Sequence, residues 1–179
     1  MIDINNREFN EFREWFDKYF GMEIDGKSLG INFSDEDSGA LSLNLGKIKV
    51  EDGKVELCLD IRNPVSIPNE RVIETLQEVL KGTAIVEVNS NSPALYVAKD
   101  SFLVSTLMDI YRDVTGDKES EPVAIGGGTY ARKVTNGVAF GALLESQENN
   151  MHQRNEYLEI DKIDTLLKIY VDAIYKLAK

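Results

Sequence analysis

Apolar residues recur along this chain with two different periods. Between residues 6 and 20, Phe9, Phe12, Phe16 and Tyr19 fall at helical spacing, with Asn6 placed to cap a helix and Gly21 to stop it. Residues 21–38 are rich in Gly, Asp and Ser and read as loop, with a short strand over residues 29–33. A period of two follows. Leu41, Leu43 and Leu45 alternate with Ser42 and Asn44, and Val55, Leu57, Leu59 and Ile61 alternate with Glu56, Cys58 and Asp60. Asp52-Gly53 between the two runs is a hairpin-turn signal. Alternation puts Asp60 and Arg62 on the face away from the leucines.

The helical period returns after Pro68-Asn69, where Val72, Ile73, Leu76, Val79 and Leu80 form one stripe ended by Lys81-Gly82. Residues 84–88 read as a strand. The order over residues 6–88 is helix, strand, strand, helix, strand, a split βαβ plan without its first strand. Residues 89–101, with Asn, Ser and Pro93, are the expected domain boundary. Leu103, Leu107, Ile110, Tyr111 and Val114 then predict a helix ended by Gly116. Residues 122–125 and 138–140 read as short strands. Asp161 is placed to cap a final helix carrying Ile163, Leu166, Leu167, Tyr170, Ile174 and Leu177.

Composition narrows what such a chain can do. Its 179 residues suffice for one domain or two small ones. A net charge of −11 speaks against nucleic acid and against an anionic membrane, since both are recognised by clustered Lys and Arg. No apolar run reaches the roughly 18–20 residues of a membrane span, and residues 1–20 do not read as a signal peptide. The single cysteine, Cys58, fits a reduced, cytoplasmic setting. One histidine, His152, falls short of the three or four ligands of a self-contained zinc site.

Candidate chemistry gathers in three places. Gly126-Gly127-Gly128-Thr129-Tyr130-Ala131-Arg132 follows an expected strand: glycines permit close approach, Thr129 offers a hydroxyl and Arg132 a carboxylate fork. A tight turn with a surface arginine explains the same residues, and neither nucleotide-loop glycine pattern is present. His152 is either an exposed histidine or a metal ligand, with Glu156 able to orient its ring or to favour the start of the coming helix. Arg62, at the end of its strand, is either paired with Asp60 or a clamp for a carboxylate or oxyanion. As a clamp it should be free of Asp60 and partly exposed. The acidic run Asp35-Glu36-Asp37 reads as a solvated loop.

Four stretches taken in order carry a resemblance: residues 39–46 (GALSLNLG), residues 60–64 (DIRNP), residues 125–132 (IGGGTYAR), and His152-Gln153-Arg154-Asn155-Glu156. Together the chain resembles the C-terminal portion of the PepV-like (Xaa-His, carnosinase-like) dipeptidases of the zinc aminoacylase/carboxypeptidase family. The resemblance implies an α+β lid domain of split βαβ (ferredoxin-like) plan, incomplete, over residues 1–97. The C-terminal part of an α/β zinc-peptidase catalytic domain would occupy residues 98–179.

It further implies two zinc ions in the complete enzyme, with His152 as a metal ligand. Arg62 would be the catalytic residue that steadies charge on the substrate, and Gly127, Gly128, Thr129 and Arg132 would line the cleft for a dipeptide or short peptide. The family's catalytic glutamates, bridging aspartate, early histidine ligand and lid histidine all lie N-terminal to the matched region. Asn63 stands where the family usually has Tyr, and Leu143-Leu144-Glu145 where many members have Phe-Pro-Gly. The expectation is therefore a dipeptidase fragment, inactive alone, that forms a homo-oligomer or joins the missing N-terminal half. The alternative is a non-catalytic binding or dimerisation module derived from the peptidase fold.

Overall fold

The first helix, α1 (Arg7–Tyr19), forms where the aromatic stripe predicts it. The computed structural model describes residues 7–141 and 143–178, so the expected Asn6 cap lies outside the described residues. Trp15 and Phe16 pack against Tyr19, Phe20 and the rest of a first core, with ring centroids 5.4–5.6 Å apart for Trp15–Tyr19, Trp15–Phe20 and Phe16–Phe20. That core also holds Leu29, Ile31, Leu41, Leu43, Val72, Leu76 and Leu80.

The strand expected over residues 29–33 does not form. Lys27–Leu29 is instead a short 3-10 turn between Gly26 and Gly30, whose φ angles of 67° and 70° fold the chain back. A Cβ on Gly26 would lie 2.5 Å from Ile31 Cγ1, so this corner is closed to larger residues. Leu29 and Ile31 still both point inward and are fully buried.

Two short strands, β1 (Ser34–Asp35) and β2 (Gly39–Ala40), pair antiparallel and lead into the hairpin of β3 (Ser42–Glu51) and β4 (Lys54–Arg62). Asp52 and Gly53 at its tip have φ of 48° and 72°, the left-handed pair of a type I′ turn. The register slips by one residue between Leu45 and Lys47. That bulge at Gly46 matters for sidedness. With it, Leu43 faces Ile61, Leu45 faces Leu59, Ile48 faces Leu57 and Val50 faces Val55, so both strands keep one apolar face throughout.

Helix α2 (Asn69–Val79) follows Pro68 and buries Val72 and Leu76. Beyond Gly82, residues 84–88 form no regular element and pair with no strand among the described residues, contrary to the expected strand. Val86 packs on the core while Ile85 is exposed. Among the described residues no strand lies beside this segment to accept its hydrogen bonds, and a strand is defined by its neighbour.

The chain divides into two compact units between Ala94 and Leu95. In the second unit, α3 (Phe102–Thr115) starts at Ser101, whose hydroxyl accepts from the Val104 N–H at 3.2 Å, and stops at Gly116 with φ 75°. Helix α4 (Ile163–Leu177) packs on it through a core of Leu107, Ile110, Leu144, Leu166, Ile169 and Ala173. Asp161 does not cap α4. It lies in a 3-10 turn, Ile160–Lys162, that precedes the helix without a side-chain cap. The segments 122–125 and 138–140 form no regular element and pair with no strand among the described residues, so neither expected strand forms. Val138 and Phe140 nevertheless pack against the second core, Phe140 edge-on to Tyr170 at 6.2 Å. The architecture is mixed α+β, four helices with two two-stranded antiparallel ladders among the described residues. No described helix is long and apolar enough to cross a membrane.

Candidate functional site

Arg62 ends β4 opposite Ser42. Leu57, Leu59 and Ile61 turn toward the first core, and Asp60 and Arg62 stay exposed on the other face, as alternation requires. The same alternation sets the two charged side chains side by side. Arg62 donates from Nη2 to Asp60 Oδ2 at 2.8 Å and from Nε at 3.3 Å. The expectation of an arginine free of Asp60 is therefore corrected: the carboxylate two residues away is its partner here. The Arg62 side chain keeps 44% of its surface exposed, so the pair sits in water and is weak.

Around Arg62 lies a polar framework that the sequence did not announce. Asn63 donates from Nδ2 to the Ile67 carbonyl at 2.5 Å, fixing the turn after Pro64. Asn69, at the start of α2, donates to Asn91 Oδ1 at 2.6 Å and to the Ser92 carbonyl at 3.2 Å. Asp35 is a clamp rather than part of a solvated loop. Its Oδ1 accepts from Ser38 N–H at 2.6 Å and Ser38 Oγ–H at 2.8 Å, and its Oδ2 accepts from Ser66 N–H at 3.0 Å. The Ser66 and Ser38 amides hold its carboxyl far below the ordinary carboxylate range, because each bond favours the charged form. Ser38 Oγ also accepts from Val65 N–H at 2.9 Å, tying the β1–β2 loop to the residues that follow Arg62.

The glycine stretch belongs to the second unit. Neither Gly127 nor Gly128 has a left-handed φ, and a Cβ on Gly127 would meet nothing within 4 Å. A Cβ on Gly128 would come within 3.2 Å of Arg132 Nη1, and the Arg132 side chain folds back over that position. Thr129 Oγ1 accepts from Ala131 N–H at 3.2 Å and opens a 3-10 turn over Tyr130–Lys133. The three residues Gly128, Thr129 and Arg132 thus form one exposed local loop.

His152 sits elsewhere in the same unit, exposed, at a left-handed φ of 62°. Glu156 takes neither of its expected roles: its Oε2 accepts from the His152 backbone N–H at 3.3 Å and closes a turn, with Asn155 also left-handed at φ 62°. Cys58 is half-buried, with Sγ 3.4 Å from Glu56 Oε1.

Among the described residues no three His, Cys, Asp or Glu side chains come together as a metal could use. A zinc centre needs such a set, so these residues alone do not fit one. An open groove of about 560 Å³ in the second unit is lined by Asp109, Arg112, Asp113, Lys118 and Lys176, none of them a residue singled out above. Two of its cations are already engaged, Arg112 with Glu121 at 2.7 Å and Lys176 with Asp113 at 4.0 Å.

Comparison with known proteins supplies what local geometry does not. Residues 13–176 match the model of peptidase family M20/M25/M40. The chain is 38% identical over 164 residues to "Putative dipeptidase YtjP" of Bacillus subtilis, a match covering 91% of this chain and 35% of that protein. It is 33% identical over 174 residues to a "Putative dipeptidase" of Staphylococcus epidermidis, covering 96% of this chain and 37% of that one. The chain thus spans little more than a third of the length of these relatives. With nearly its whole length inside the family match, the chain belongs to peptidase family M20/M25/M40.

Proposed function

We propose that this chain forms part of a zinc-dependent dipeptidase and has no peptidase activity by itself. One observation carries the reading: a family match over residues 13–176 joined to relatives, named as dipeptidases, of which the chain spans 35–37%. In this reading the first unit is the lid and the second is the C-terminal part of the catalytic domain. Arg62 leaves Asp60 to meet the substrate, the loop of Gly127, Gly128, Thr129 and Arg132 lines the cleft, and His152 contributes one imidazole toward metal. The weakness of the exposed Arg62–Asp60 pair supports the first of these roles, since a bond worth about 0–1 kcal/mol is readily exchanged for a substrate carboxylate. The metal centre needs donors beyond those that the described residues bring together. The lone cysteine suits a reducing, cytoplasmic setting.

The test is hydrolysis of a dipeptide panel, with zinc added, by the purified chain. No turnover is expected until the part of a relative that lies outside the matched stretch is supplied. Turnover by the chain alone that is abolished by His152→Ala would overturn the reading.

A further inference from the structure

Arg62 is the last residue of the β3–β4 ladder, paired with Ser42. Past it the ladder makes no further bonds, and Pro64 brings no N–H of its own. The direction in which Arg62 leaves the strand is therefore set by what holds the residues on either side of that pair. Downstream, Val65 N–H donates to Ser38 Oγ at 2.9 Å and Ser66 N–H donates to Asp35 Oδ2 at 3.0 Å. Upstream of Ser42, Ser34 pairs with Ala40 and Asp35 with Gly39, and Leu41 N–H donates to the Phe33 carbonyl at 2.8 Å. Together these bonds close a ring. It runs from Arg62 across to Ser42, back along β2 to Asp35 and Ser38, and over their side chains to Ser66 and Val65. Asp35 Oδ1 accepts from both the amide and the hydroxyl of Ser38, so the two acceptors act as one unit. Within the turn, Ile67 N–H donates to the Pro64 carbonyl at 3.1 Å.

The ring lies beside the first core rather than in it. Asp35 and Ser38 are half-buried, while the hairpin is packed through Leu41, Leu43, Leu57, Leu59 and Ile61. Their side chains bond to each other and to the segment that follows an exposed arginine. Such supporting bonds are how a fold aims a charged group. We propose that Asp35 and Ser38 are positioning residues that fix the direction in which Arg62 leaves β4. What Arg62 meets there rests on the dipeptidase reading above; that Asp35 and Ser38 aim it does not.

Two measurements test this. In the chain alone, in mildly acidic buffer, proton–nitrogen correlation NMR follows the Arg62 Nε–H. Its signal should shift in Asp35→Asn and in Ser38→Ala, and the Val65 and Ser66 amides should exchange about tenfold faster or more. Helix content and the Arg112 Nε–H signal, in the other unit, should stay as in the wild type. The second measurement uses the chain completed by the part of the Bacillus subtilis relative outside the matched stretch. Either substitution should lower kcat for a dipeptide on the order of tenfold, since a small misplacement of a working group is costly. With Arg62→Ala already present, the same substitutions should change kcat by less than about twofold, because residues acting through one group do not add. An Arg62 signal that neither substitution moves would overturn the positioning role, as would losses that add to that of Arg62→Ala. A moved signal in an assembly that hydrolyses nothing would keep the positioning role and overturn the dipeptidase reading. Should Asp35→Asn fail to fold, Ser38→Ala, which keeps the carboxylate, carries both measurements.

Discussion

At the scale of single residues, Arg62 and Asp35 show two carboxylate partnerships of different kinds. Arg62 and Asp60 meet only because alternate residues of a strand share a face, and both remain exposed. Arg62→Ala should therefore change stability by less than about 1 kcal/mol in denaturant titrations. In an enzyme completed by the rest of the fold it should lower kcat about a hundredfold, the scale of one lost charge-stabilising donor. Normal kcat in a folded variant would remove Arg62 from the substrate site. Asp35 is instead held by three hydrogen bonds, and Asp117 by the hydroxyl and amide of Ser120 and the amide of Glu119, which lower it from 3.8 to about 2. Both carboxyls release their proton more readily in the folded state. Their stabilisation is thus complete above the unfolded value of 3.8 and is lost as pH falls through the lower folded values. Trp15 is the only tryptophan and shares a unit with Asp35, so its fluorescence can follow urea unfolding as the pH is lowered. The midpoint should drop below about pH 4 in the wild type and drop less in Asp35→Asn. Parallel curves would mean that the clamp is not titrating.

At the scale of elements, turns and caps decide more than propensity does. Gly26 combines a left-handed φ with a Cβ position blocked by Ile31. Gly26→Ala should cost on the order of 1–3 kcal/mol, through strain and forced repacking, read as a lower Trp15 midpoint. Ser101 caps α3 with a single bond to Val104 N–H, and Ser101→Ala should cost about 1 kcal/mol, seen as a lower midpoint of helix loss by circular dichroism. A midpoint unchanged by either substitution would show that packing, not the local device, sets that element's end.

At the scale of the whole molecule, charge and apolar surface oppose each other. The net charge of −11 makes copies repel one another, while Val123, Ile125, Val171 and Ile174 leave apolar surface in water. Salt shortens the range of the repulsion to about 10 Å at 0.1 M and leaves the apolar attraction in place. The second virial coefficient from light scattering should therefore fall, toward net attraction, as sodium chloride is raised from dilute buffer. A coefficient indifferent to salt would mean that the net charge is not what separates the copies.

The amino-acid sequence by itself determined the four helices, the β3–β4 hairpin with its Asp52-Gly53 turn, the side of that hairpin that is buried, and the family. These are short-range matters: a helical stripe, a period of two and a turn dipeptide each act over a few residues, and Gly46 shifts the register without changing which side chains are apolar. Tertiary structure alone decided the rest. Residues 84–88, 122–125 and 138–140 have strand-like sequence but no ladder, because pairing requires a neighbour that local sequence cannot provide. Residues 29–33 became a folded-back corner because Gly26 and Gly30 could take left-handed angles. Asp35 became a clamp only when residues 65 and 66, far along the chain, were brought to it. The candidate site divides in the same way. Arg62 at a strand end and the glycine stretch were legible from residue type and spacing. The Asn69–Asn91 bond and the turn that Glu156 closes on the His152 backbone depend on directions that side chains acquire only once the backbone is folded.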